Sequence, residues 1–283
     1  MKRVLHWVGG ALAIAGAVFV FFRLRQQAAE IDFTRLSSVH LVLLALLAVV
    51  YGAANTFLAL AWRNLLAFCG PRASRSWAIY AYGVSQLAKY IPGNIFHVAG
   101  RQAIGMAAGY GGGALVRSTL WELGLISATG AIFGLLTVNL IVSQVPAPAT
   151  VATFAFVLAA VTGIVWRYVS HELAVAMGEQ ALFLTISGAV FVGCLVIAAP
   201  AAALPPSFIP AAIGAFVVAW LAGLVTPGAP AGLGVREVVL LFLLAGINRE
   251  PEVLLAILLG RIVNVAGDVL FFALGALLGH MKA

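Results

Sequence analysis

Charged side chains are scarce in this chain of 283 residues, of which 16 are basic, 9 are acidic and 63 % are apolar. Soluble domains carry about 25 % charged residues, whereas charged residues make up 9 % of this sequence. The composition therefore excludes a soluble globular domain, because so few charges cannot cover such an apolar core. Cysteine is also scarce: Cys69 and Cys194 lie far apart without CxxC spacing, and so indicate neither a disulfide framework nor a metal site.

Long apolar runs are present instead, and they predict an all-α polytopic membrane protein. Six segments are long enough to cross about 30 Å of hydrocarbon at about 1.5 Å per residue. The first follows Met1-Lys-Arg and lacks a small-x-small cleavage site before Arg23, so we expect an uncleaved span. The predicted transmembrane helices cover residues 4–22, 39–61, 114–142, 149–166, 181–203 and 252–279.

Two further apolar regions are interrupted by proline and glycine. Residues 77–109 and 208–247 are each divided into halves of about 15 residues, which reach only about 22 Å as helices. Broken helices at membrane depth are tolerated where protein or a wet cavity surrounds them. We therefore predict two re-entrant helical hairpins, whose hinges are Pro92, Gly93, Pro227 and Gly228.

The order span, span, hairpin, span occurs twice. The spans that start at residues 4, 39 and 114 recur at 149, 181 and 252, and each hairpin has an arginine nine residues after its proline, Arg101 and Arg236. We predict one integral membrane domain, 1–283, with halves of about 1–142 and 149–283. Three spans per half would invert the second half, as in many alternating-access transporters. Chance is the alternative explanation, because residue identity between the halves is otherwise low.

Basic residues in the short loops predict the orientation of the chain. With the N-terminus in the cytoplasm, seven lysines and arginines lie inside and four lie outside, which follows the positive-inside rule. The net charge of +7 indicates contact with anionic lipid headgroups rather than with nucleic acid.

Charged and polar residues in the hairpins and spans are the candidate functional residues, since charges in hydrocarbon are costly and usually functional. The helix after Pro92 would present backbone N–H groups to an anion. On the last span, three polar residues spaced i, i+3 and i+7 form one stripe. The predicted substrate-binding residues are Lys89, Asn94, His97, Arg101, Glu122, Arg236, Glu237, Arg261, Asn264 and Asp268.

A structural role for the same charges stays open. Ion pairs such as Arg101–Glu122 or Arg236–Asp268 would join the hairpins to the spans, and His97 is interpreted as a hydrogen-bonded packing residue rather than a catalyst. We predict no catalytic residue, no metal site and no cofactor, because no cluster has metal-ligand spacing and no Ser/His/Asp set has local support.

Two stretches of the sequence carry a family resemblance. They are Lys89-Tyr-Ile-Pro-Gly followed by Gly100-Arg101, and Thr226-Pro-Gly followed by Gly232-Leu-Gly-Val-Arg-Glu237. Both resemble the signature stretches of the lysylphosphatidylglycerol synthase transmembrane, or flippase-like, family. The family usually has Pro-Gly-Gly-Leu-Gly in the second stretch, and Ala229-Pro-Ala231 departs from that pattern.

The resemblance implies translocation of an anionic phospholipid or lipid-linked headgroup across the plasma (inner) membrane of a bacterium or archaeon. Members that synthesise aminoacyl lipids have an additional soluble domain after the membrane part. This chain ends at Ala283, so we expect a transporter and no aminoacyltransferase activity.

The leading hypothesis is a lipid flippase-like transporter in which Arg101 and Arg236 hold the headgroup phosphate. Glu122, Glu237 and Asp268 would then balance charge or take protons. One alternative is a membrane-embedded transferase acting on a polyprenyl phosphate or phospholipid, and another is a non-transporting partner subunit of an envelope lipid enzyme. The predicted partners are membrane lipids, with a homodimer or an envelope-enzyme partner left open.

Overall fold

The computed structural model describes residues 37–91, 95–142, 144–199, 205–226, 234–245 and 250–280. All regular secondary structure in these ranges is helical, and six of the helices are long and apolar enough to cross a membrane. The protein is therefore an all-α polytopic membrane protein, as the composition predicts. The predicted first span, 4–22, lies outside the described residues.

Nine main helices follow one another along the described chain. They are α1 (Ser38–Phe68), α2 (Arg75–Gln86, extended by a 3-10 turn, Leu87–Tyr90), α3 (Phe96–Ala107), α4 (Gly112–Phe133, extended through Gly134–Thr137 and Val138–Ile141), α5 (Ala147–Tyr168), α6 (His171–Ala198), α7 (Ile209–Val225, preceded by a 3-10 turn, Pro206–Phe208), α8 (Val235–Leu243) and α9 (Glu250–His280).

Five predicted spans correspond to α1, α4, α5, α6 and α9. The first residue of α6 differs most from the prediction, since this helix begins about ten residues before the predicted span 181–203. Ser170 caps this helix, since its Oγ accepts hydrogen bonds from the backbone N–H groups of Glu172, at 3.0 Å, and Leu173. Apolar runs alone do not predict this start, because the first turn of the helix is polar.

The two predicted hairpins differ in the length of their arms. In the first, α2 and α3 have 12 residues each, about 18 Å of helix, so both arms are short as predicted. In the second, Pro206–Val225 is a 20-residue candidate span, long enough to cross about 30 Å. The prediction that this arm is too short was wrong, because the helical segment begins at Pro206 and continues to Val225, two residues before Pro227. Its other arm, α8, has 9 residues.

The core of the bundle forms where α1 packs along α6 and where α9 packs on α1, α2 and α6. Glycines permit the closest approach: a Cβ built on Gly267 of α9 would lie 2.7 Å from the carbonyl oxygen of Ala48 in α1. Gly275 of α9 meets Gly83 of α2 in the same way, with a built Cβ at 3.1 Å from its Cα. Small residues at such crossings let the helix backbones approach each other.

Helix contacts recur in corresponding pairs. If α1 to α4 are matched with α6 to α9, the α2–α9 contact corresponds to the α7–α4 contact, and α3–α4 corresponds to α8–α9. The central α1–α6 contact corresponds to itself. Two related halves would produce this pattern, while the direction in which each half crosses the membrane stays a prediction.

Candidate functional site

A cavity of about 190 Å³ lies between the two hairpins and the long helices α1, α4, α6 and α9. It is lined by eight of the ten predicted substrate-binding residues: Lys89, His97, Arg101, Glu122, Arg236, Glu237, Arg261 and Asn264. A ninth, Asp268, lies behind its wall, bonded to lining side chains. The tenth, Asn94, and the four predicted hinge residues lie outside the described residues.

Arg101 and Glu122 form a buried ion pair at one side of the cavity. Both amino groups of the guanidinium bond to the carboxylate, and Nη1 lies 3.1 Å from Oε1. The hydroxyl of Tyr82 donates to the same oxygen at 2.9 Å. The ring centres of Tyr82 and Trp62 lie 4.4 and 4.8 Å from the guanidinium carbon, close enough for cation–π attraction. This pair, one of the two structural alternatives, is therefore present.

The short helix α3 positions Arg101 opposite Glu122. Gly109 has a φ of 93°, which glycine adopts without strain, and the chain turns there from α3 into α4. Gln102 then joins the two helices, since its Nε2 donates to the carbonyl of Leu115 at 3.0 Å and to Oγ1 of Thr119 at 2.7 Å. The arginine one residue earlier consequently faces the carboxylate of α4.

Asp268 is the centre of a second buried network. Its side chain is 0 % exposed and accepts from four groups: Asn55 at 3.3 Å, Gln86 at 3.1 Å, the Tyr90 hydroxyl and Lys89, whose Nζ is 2.8 Å away. The alternative pair Arg236–Asp268 was therefore wrong, because among the described residues Asp268 forms its ion pair with Lys89.

The third group of charges lies at the start of α8. Gly234 precedes this helix with a φ of 84°, so Arg236 and Glu237 fall in its first turn. Glu237 forms an ion pair with Arg261 of α9, and the guanidinium carbon of Arg236 lies 5.8 Å from the centre of the Trp220 ring. Within the described ranges, no carboxylate lies at ion-pairing distance from Arg236.

Four buried polar atoms of cavity residues have no hydrogen-bond partner in the described part of the chain. One is Nε of Arg101, whose two amino groups are bonded to Glu122, and the other three belong to different residues. They are Nδ1 of His97, Nε of Arg236 and Oε2 of Glu237. The interpretation of His97 as a hydrogen-bonded packing residue is therefore wrong for this nitrogen. Unpartnered atoms in a cavity are sites where a ligand or water can bond.

The cavity carries an excess of positive charge. Counting its lining and Asp268, four cations (Lys89, Arg101, Arg236 and Arg261) face three carboxylates, which leaves one positive charge over in the described residues. No group of three or more His, Cys, Asp or Glu side chains suited to a metal ion occurs in that part of the chain. The excess charge favours an anion as the occupant of the cavity.

The neutral residues that hold the charges were not predicted from the sequence. Asn55 and Gln86 bond to each other at 3.0 Å and to Asp268, while Trp62, Tyr82 and Tyr90 contact the charged side chains directly. Asn55 lies inside the apolar span 39–61, and a polar residue at such a position is itself a signal of a buried contact.

No protein-family model matches this chain, and no curated protein matches it. The resemblance of the two hairpin motifs to the lysylphosphatidylglycerol synthase transmembrane family therefore stays a prediction from those residues.

Proposed function

We propose that this protein is a lipid flippase-like transporter, which moves an anionic phospholipid or lipid-linked headgroup across the plasma membrane. The headgroup would enter the charged cavity while the acyl chains stay in the bilayer. Membrane lipids would then be its partners, and the distribution of loop charges favours a cytoplasmic N-terminus.

The observation that carries this proposal is the unbalanced positive charge of a cavity inside a bundle of membrane-spanning helices. Arg236 lines the cavity without a carboxylate partner among the described residues. A charge held away from water is costly unless an opposite charge compensates it. An anionic headgroup supplies that opposite charge, whereas a zwitterionic headgroup brings a second cation with it.

The pairing of the carboxylates favours transport over the transferase alternative. A general base needs a free carboxylate or imidazole at the reacting group. Glu122 is held by both amino groups of Arg101, and Asp268 accepts from four donors, so neither is free to take a proton from a substrate. His97 remains the candidate base for the transferase alternative.

Reconstitution into liposomes tests the proposed function. A fluorescent phosphatidylglycerol in the inner leaflet becomes accessible to an external quencher only if the protein moves it. We expect faster exposure than in protein-free liposomes, a smaller effect with fluorescent phosphatidylcholine, and a clear loss of rate in Arg236→Gln.

Arg117→Gln is the matched control, because Arg117 is exposed and contacts the Cys69 carbonyl outside the cavity. Equal rates for wild type and protein-free liposomes would overturn the proposed function, as would equal movement of the anionic and zwitterionic lipids.

A further inference from the structure

We propose that Arg236 and Arg261 form the phosphate-binding site of the cavity, and that Glu237 occupies part of this site until the phosphate displaces it. The ligand class is a phosphate diester or monoester in a lipid headgroup. This inference rests on the proposed function, since it assigns particular side chains to the headgroup that the protein would carry.

The ion pairs of the cavity differ in how accessible they are to a ligand. We call a pair closed if its carboxylate is buried, and open if both of its side chains are partly exposed. Arg101–Glu122 is closed, because its side chains are 3 % and 8 % exposed and two aromatic rings flank the arginine. Lys89–Asp268 is closed at its carboxylate, which has four donors and no exposure. A phosphate could reach Arg101 only by stranding the buried carboxylate of Glu122, which is strongly unfavourable, and could reach Lys89 only by taking a donor from the fully buried Asp268.

Arg261–Glu237 is the open pair. Its two side chains are 21 % and 22 % exposed, and one carboxylate oxygen of Glu237 is buried without a hydrogen-bond partner among the described residues. Because this pair is more exposed than Arg101–Glu122, exchanging one anion for another at Arg261 leaves less buried charge without a partner than exchange at Arg101 would. The carboxylate is already in the place where a phosphate oxygen would bind.

Arg236 adds a second cation beside this exchangeable pair. It precedes Glu237 in the first turn of α8, lines the same cavity and has a buried Nε without a partner in the described ranges. Guanidinium groups bind phosphate through paired N–H donors. Arg236 forms no ion pair with a carboxylate in the described ranges, so a phosphate beside Glu237 would balance the charge of Arg236.

The arginines of the two hairpins consequently have different roles, one structural and one in ligand binding. In the first, the arginine nine residues after the proline has its own carboxylate, Glu122, and is a structural residue. In the second, the corresponding arginine has no carboxylate in the described residues, and the neighbouring carboxylate is paired elsewhere. The asymmetry puts the anion site on the side of α8 and α9.

Glu237→Gln distinguishes this inference from a simple requirement for cations. Because Glu237 competes with the ligand for Arg261, removing its charge should tighten phosphate binding about tenfold, equal to about 1.4 kcal/mol. Arg236→Gln and Arg261→Gln should each weaken binding about tenfold or more. The matched controls are Glu172→Gln at the start of α6 and Arg117→Gln, which lie outside the cavity lining and should leave the affinity unchanged.

Calorimetric titration of the purified protein in neutral detergent supplies the affinities. One arm uses dioctanoyl phosphatidylglycerol and a second uses inorganic phosphate, and a thermal melt of each variant establishes that it is folded. Lipid binding with the stated order of variants supports the inference, whether or not inorganic phosphate also binds. Binding of inorganic phosphate alone overturns the headgroup assignment.

Three outcomes would reject the exchange role of Glu237. The first is unchanged or weaker lipid binding by folded Glu237→Gln, and the second is unchanged lipid binding by folded Arg236→Gln and Arg261→Gln. The third is equally tightened binding by a folded Glu122→Gln variant, because the effect would then depend only on the total charge of the cavity. Failure of the inference is separable from failure of the proposed function. Liposome transport that survives in Arg236→Gln and Arg261→Gln rejects only the site, whereas absence of wild-type transport with intact lipid binding rejects only translocation.

Discussion

Replacing one partner of the Arg101–Glu122 pair should destabilise the protein more than replacing both. Arg101→Met leaves Glu122 buried with one remaining donor, the Tyr82 hydroxyl, and Glu122→Met leaves the guanidinium buried between two aromatic rings. Removing one member of a buried ion pair costs about 3–5 kcal/mol. Each single substitution therefore removes a large part of a typical free energy of unfolding, about 5–15 kcal/mol.

The double variant Arg101→Met/Glu122→Met removes the stranded charge together with its partner. Apolar residues of similar volume are often neutral replacements for a buried pair, so we expect the double variant to be more stable than either single variant. The coupling energy of the cycle should then be at least about 2 kcal/mol in favour of the native pair.

Unfolding in mixed micelles with increasing SDS, followed by tryptophan fluorescence, measures these free energies. Arg117→Met, at an exposed position that lines no part of the cavity, is the control and should change stability by less than about 0.5 kcal/mol. Additive losses in the cycle, with the double variant as unstable as the sum of the singles, would refute the assignment of Arg101 as a structural residue paired with Glu122.

Three further predictions concern the second buried network, helix packing and orientation. Asp268→Asn should lower the free energy of unfolding by about 2–3 kcal/mol in the same SDS titration, because four donors lose a charged acceptor; an unchanged midpoint would contradict the network. Gly267→Ala should cost about 1–3 kcal/mol, since its Cβ would meet backbone at 2.7 Å, whereas Gly124→Ala, with nothing within 4 Å, should be neutral or slightly stabilising. In a cysteine-free background, a membrane-impermeant maleimide should label Gln144→Cys only from outside and Val169→Cys only from the cytoplasm, because the 22-residue α5 that separates them is about 33 Å long; labelling of both from one side would exclude α5 as a span.

If the protein is the transporter proposed above, the distribution of charge in the cavity would give the two hairpins unequal roles. The first hairpin is joined to α4 by the buried pair of Arg101 with Glu122, and to α9 by the ion pair of Lys89 with the buried Asp268. The second presents Arg236 and the partly exposed Glu237–Arg261 pair. A rigid first hairpin and an exchangeable second one would let the headgroup be held on one side of the cavity and released without breaking the buried pairs.

Composition and hydropathy alone determined the class of protein. Apolar runs of transmembrane length predict helices because only internally hydrogen-bonded segments are stable in lipid, and five predicted spans were confirmed at α1, α4, α5, α6 and α9. The candidate site also followed from one local rule, since a charge in an apolar segment is retained only where it has a partner or a function. Eight of the ten residues selected in this way line one cavity.

Tertiary structure alone decided which charges pair with each other. The sequence suggested Arg236 as the partner of Asp268, whereas the structure pairs Lys89 with it. The choice depends on the depth and rotation of α2, α8 and α9 relative to one another, which are set by contacts such as that of Gly83 with Gly275. No local pattern encodes these quantities, because they arise from packing between segments nearly two hundred residues apart in sequence.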